Sequence, residues 1–151
     1  DHWTQDLEVG GGRIVGEGCH FIDLLRHLAG AAITSHSVTS VVDNSGGMMT
    51  SDKASITLNF ADGSFGVIHY LANGHKAFPK ERVEVFCGGK VLQLDNFRRL
   101  KGWGWKGFTG MRLWSQDKGQ DACAAAFVEA LRSGAPKPAY VPESDRTAPI
   151  R

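Results

Sequence analysis

No apolar run in this chain of 151 residues is long enough to span a bilayer. Cysteine is scarce. Cys19, Cys87 and Cys123 are odd in number, widely spaced and without a Cys-x-x-Cys pair. That argues against a disulfide framework or zinc ribbon and predicts small buried thiols in a reducing, cytoplasmic compartment. Charge of one sign is also lacking. The formal net charge of +1 gives no bulk drive toward nucleic acid or membrane. Asp1-His2-Trp3 offers neither an initiator Met nor a secretory leader, and it reads as the cut edge of a longer protein. A dinucleotide fingerprint is missing too: Gly10-Gly11-Gly12 has no strand before it and lacks the Gly-x-Gly-x-x-Gly spacing. No internal repeat is visible. What remains is a globular composition, 42% hydrophobic and 22% charged, at the size of one domain.

The organising stretch is Gly10 to Gly30. Its glycines read as a tight backbone passage feeding a helix. Phe21, Leu24, Leu25 and Leu28 give that helix one apolar stripe. Gly30 is its stop, and Arg26 and His27 suit the negative end of the helix dipole.

Strands follow. Thr34 to Asp43 alternates loosely, and Asn44 to Thr50 is a loop. Asp52 to Phe60 puts Ala54, Ile56, Leu58 and Phe60 on one face and Ser55, Thr57 and Asn59 on the other. Asp62-Gly63 is a hairpin turn into Ser64 to Leu71. Arg82 to Phe86 and Lys90 to Leu94 flank Gly88-Gly89. Phe97 to Trp114 reads as an irregular, basic, Trp-rich loop. Asp117 to Ser133 is a second helix whose buried face is Cys123, Ala126, Phe127, Ala130 and Leu131, capped by Gly134. Residues 1–9 read as a connector, 10–134 as one domain and 135–151 as an extended Pro-rich tail. Helix, strands, helix is an α+β pattern: an open, predominantly antiparallel sheet with helices packed on one face.

Four groups of residues could carry chemistry. Glu17 and His20, three apart, share a face of the first helical turn. Either they face a substrate or the His bonds the backbone. At a helix N-terminus the His is expected neutral. A zinc site from Glu17, Cys19, His20 and Asp23 fails because the side chains diverge around the helix, and a Cys19–His20 nucleophile pair fails for the same reason. Asn73, His75, Lys80 and Glu81 follow a strand and either line a pocket or form a polar loop with a Lys–Glu surface pair. The loop holding Trp103, Trp105 and Trp114 either stacks on sugars or single-stranded nucleic acid, or packs its indoles beneath solvated cations.

The order and spacing of several motifs resemble the C-terminal domain of the Gfo/Idh/MocA family (glucose–fructose oxidoreductase, inositol dehydrogenase, rhizopine catabolism). They are Gly10-Gly11-Gly12, Glu17, Gly18, His20, Asp23-Leu24-Leu25, Phe60 to Ser64, Pro79 to Arg82, Asp117 to Gly119 and Phe127 to Gly134. The finer resemblance is to a branch fused to a zinc-type alcohol dehydrogenase-like region. Many members place an Asp four residues before the His, where this chain has Gly16; Glu17 is the candidate replacement.

The resemblance implies an α+β fold like the C-terminal domain of glyceraldehyde-3-phosphate dehydrogenase. It also implies a sheet face used for homodimers or larger oligomers. The implied function is the substrate-binding domain of an NAD(P)-dependent oxidoreductase acting on a sugar- or cyclitol-like hydroxyl. NAD or NADP would be bound by a separate Rossmann domain, with none expected on this chain, which alone would be inactive. His20 and Glu17 become the catalytic candidates, and Lys80, Asn73 and His75 the substrate-binding ones. No metal or membrane partner is implied. The alternatives are a non-catalytic dimerisation module and a carbohydrate or nucleic-acid binder using the Trp-rich loop.

Overall fold

Alternating apolar residues and glycine-marked turns build most of the regular structure into antiparallel strands, here in a computed structural model describing residues 12–42 and 49–134. The expected connector 1–9, the tail 135–151 and most of the loop at 44–50 lie outside the described residues. Among the described residues, two helices and two antiparallel sheets make the fold α+β. Residues 12–74 fall in one compact unit and 75–134 in another, where the sequence suggests a single domain over 10–134.

The first unit opens with a π turn, Ile14–Gly18, running directly into α1, Cys19–Ala29. Gly30 ends α1 at φ 66°, donating its N–H to the Arg26 carbonyl at 3.0 Å. Strands β1 (Ile33–Val42), β2 (Met49–Phe60) and β3 (Phe65–Leu71) form a sheet in that order. Ala54, Ile56, Leu58 and Phe60 are the buried face of β2, as its alternation predicts. Ile68 joins them from β3.

Helix α1 covers this core with Phe21, Ile22, Leu25 and Ala29, not with the expected Leu24 and Leu28. Leu28 is exposed. Apolar residues span a wide arc of α1, and periodicity alone does not choose which part of the arc meets a narrow sheet.

Between β2 and β3, Asp62 closes the turn by accepting Ser64 N–H at 3.0 Å and Ser64 Oγ–H at 2.7 Å. Gly63 takes φ 85°. Both Ser64 bonds, the hydroxyl's first, hold the Asp62 carboxyl below its usual range.

The second unit is a meander of β4 (Arg82–Cys87), β5 (Lys90–Asp95), β6 (Arg99–Trp103) and β7 (Gly110–Arg112), followed by α2, Gln120–Ser133. The supposed irregular loop therefore contains two strands, β6 and β7. Its signal was hidden because the β5–β6 turn uses Asn96 and Phe97 at φ 51° and 49°, conformations rarely associated with Phe.

The predicted buried face of α2 is not buried. Phe127 and Leu131 are 46% and 60% exposed, and Cys123 and Ala126 are exposed as well; only Ala130 is half-buried. An amphipathic pattern marks a face able to pack, and none of the described residues covers this one. The three thiols, expected to be buried, are exposed.

Candidate functional site

The site is built on the π turn. An extra residue in the turn carries Glu17 past ideal α-helical phase, and such turns recur at functional sites. The helix start is not an open row of donors. Gly16 N–H bonds the Gly12 carbonyl at 3.1 Å, and Cys19 N–H reaches the Ile14 carbonyl. The expectation that the helix begins beside Glu17 and His20 is thus corrected: helical backbone continues upstream to Arg13. Gly12 lies just before this helical entry and Gly18 ends its π turn.

Glu17 is anchored from across the fold. Tyr70 Oη–H donates to Glu17 Oε2 at 2.5 Å. Tyr70 stands opposite Ala54 on the core face of the sheet, so its half-buried ring is held while its hydroxyl emerges at the rim. Arg13, four residues before Glu17, also reaches the phenol. Burial pushes the Tyr70 hydroxyl up to about 12, aided by its bond to Glu17 and that residue's charge; Arg13 opposes the rise. The sequence reading missed Tyr70. Its signals were present: a Tyr aligned with Ile68 at the end of an apolar strand face needs a partner for its hydroxyl, and Arg13 and Glu17 have helical spacing.

His20 follows one turn later, exposed and without a hydrogen bond among the described residues. The structure does not join it to Glu17, which turns to Tyr70 instead. Asn73 is exposed in the turn after β3, in the same unit as Glu17 and His20. His75 and Lys80 belong to the second unit. His75 Nδ1 accepts Ala77 N–H at 3.2 Å, and Lys80 is exposed before β4. The suggested Lys80–Glu81 surface pair gives way to another: Lys118 Nζ sits 2.6 Å from Glu81 Oε1.

In the Trp-rich region, Trp105 is a packing residue. Its Nε1–H bonds the Val91 carbonyl at 3.1 Å, with the Lys90 ammonium 4.7 Å from its ring centre. Trp114 is 97% exposed beside Arg98 and Arg112 in a shallow open depression. Among the described residues no cluster of three His, Cys, Asp or Glu side chains could hold a metal, and no helix is long and apolar enough to cross a membrane.

Residues 1–92 match the GFO/IDH/MocA C-terminal domain. The chain belongs to that family. Among solved structures, the aldose-aldose oxidoreductase from Caulobacter crescentus, complexed with glycerol, is similar at a TM-score of 0.65 and 19% identity. The match covers 97% of this chain and 44% of that one, a likeness of fold. No curated protein matches. Family membership agrees with the α+β architecture and with the ordered motifs from Glu17 through Arg82.

Proposed function

We propose that this chain is the substrate-binding part of a longer NAD(P)-dependent oxidoreductase that acts on a hydroxyl of a sugar, polyol or cyclitol in the cytoplasm. The observation that carries the reading is an exposed His20 one turn from a carboxylate fixed by Tyr70, inside a domain of this family. The aldose-aldose oxidoreductase with bound glycerol is similar in fold, which supports a polyhydroxylated substrate.

The nicotinamide would be held by another domain of that longer protein. That group would supply hydride acceptance. This chain would bind the alcohol, orient it through Glu17 and His20, and let His20 Nε2 or Nδ1 exchange its proton. Asn73, in the same unit as Glu17 and His20, is the further substrate-contact candidate.

The outer face of the first sheet supports self-association as an accompanying role. Thr57 and Val67 are paired there, with Phe65 70% and Leu71 58% exposed along β3. The test of the main reading is steady-state turnover of the full-length protein with NAD or NADP against a panel of aldoses, polyols and inositols. Saturable reduction of the nucleotide by one of these is expected; no turnover with any would overturn the reading.

A further inference from the structure

We propose that Tyr70 is a positioning residue: it holds one carboxylate oxygen of Glu17 so that the other accepts a hydroxyl of an uncharged diol beside His20. The inference rests on the role given to Glu17 and His20 above.

Three observations carry it. First, the two ends of the bond come from different elements, β3 and the π turn, 53 positions apart in sequence. The bond therefore fixes the helix entry against the sheet. Second, only Oε2 of Glu17 is engaged; Oε1 has no partner among the described residues, and the residue is exposed. A flexible exposed Glu would lose rotamer entropy on meeting a ligand, whereas one already tied by a phenol has lost much of it. Third, the groups facing the phenol are a carboxylate and a guanidinium. Arg13 moderates the charge there while leaving Glu17 an acceptor.

An acceptor carboxylate one turn from an imidazole suits adjacent hydroxyls, one bonded to Glu17 and its neighbour to His20. A phosphorylated or carboxylated sugar would bring a second negative charge against Glu17, so the site selects a neutral polyol.

The experiment uses the full-length protein with glucose, myo-inositol and glycerol as probes, taking the best turned over. It compares Tyr70→Phe, Glu17→Ala, their double variant and His20→Gln. Tyr70→Phe is expected to raise KM about fivefold with kcat within about twofold, the size of one lost hydrogen bond. The double variant should be no worse than Glu17→Ala alone, because the two side chains act as a unit.

Thermal melting of each variant checks folding. If Tyr70→Phe does not fold, Glu17→Ala keeps the Tyr70 ring packed, and an unchanged KM there overturns the proposal. Wild-type KM in Tyr70→Phe, or additive effects in the double variant, also overturns it. If His20→Gln still loses turnover in that case, the functional reading stands without this inference; if His20→Gln is also wild type, both fall.

Discussion

A side chain on Gly66 would collide with Leu25: a Cβ built there lies 2.7 Å from Leu25 Cδ1. Helix α1 leans on β3 at this point, and the missing side chain lets it come close. Gly66→Ala should destabilise the protein by about 1–3 kcal/mol through overpacking. Denaturant unfolding of Gly66→Ala with and without Leu25→Ala measures it. Partial recovery in the double variant is the expected outcome, and a neutral Gly66→Ala would show that Leu25 moves aside freely.

His20→Gln should preserve folding and most substrate affinity while lowering kcat about 10²–10⁴-fold, if the imidazole relays the proton. Glu17→Gln should cost less turnover, because it orients rather than transfers. Values of kcat and KM for both, in the full-length protein, decide this. Wild-type kcat in His20→Gln would move attention to Lys80.

Tyr70 links the same site to alkaline stability. Its folded pKa is about 12, above the ordinary value near 10. A raised pKa favours the neutral phenol in the folded state, so its contribution is fully present below about pH 10 and is lost as pH rises toward 12. The stability difference between wild type and Tyr70→Phe should stay level up to about pH 10 and shrink above it. Urea midpoints across this range are the measurement; a difference that grows with pH would contradict the assignment.

The outer sheet face gives a test of association. Val67→Lys puts a charge among Phe65, Thr57 and Leu71 without touching the buried face. Sedimentation at several concentrations should show weaker self-association with unchanged melting behaviour. Equal association in both proteins would assign the contact to another surface.

The strands with strict alternation were readable from sequence because burial follows the same two-residue period as the side chains. Ile56, Leu58 and Phe60 are the clearest case. The Asp62-Gly63 and Gly88-Gly89 turns were readable because positive φ favours glycine. Phe97 gave no such signal, since its left-handed backbone depends on its neighbours, and β6 and β7 were hidden with it.

At the site, Glu17 and His20 could be named from spacing and resemblance. Tyr70 could not be joined to them, because no local rule connects residues 53 positions apart. The apolar face of α2 was legible as a pattern, but pattern does not state whether a partner is present.

The π turn at Ile14–Gly18 also makes this site sensitive to chain length in a way it is not sensitive to composition. An α-helix advances about 100° per residue, so removing one residue from the turn would restore ordinary winding while rotating everything before the deletion relative to everything after it. Deleting Gly16 would leave Tyr70, Glu17 and Arg13 all present, with Arg13 three residues before Glu17 and turned about 60° from it, still on the same side of the helix. The extra residue thus works as an angular spacer that sets how closely the guanidinium and the carboxylate line up over the phenol.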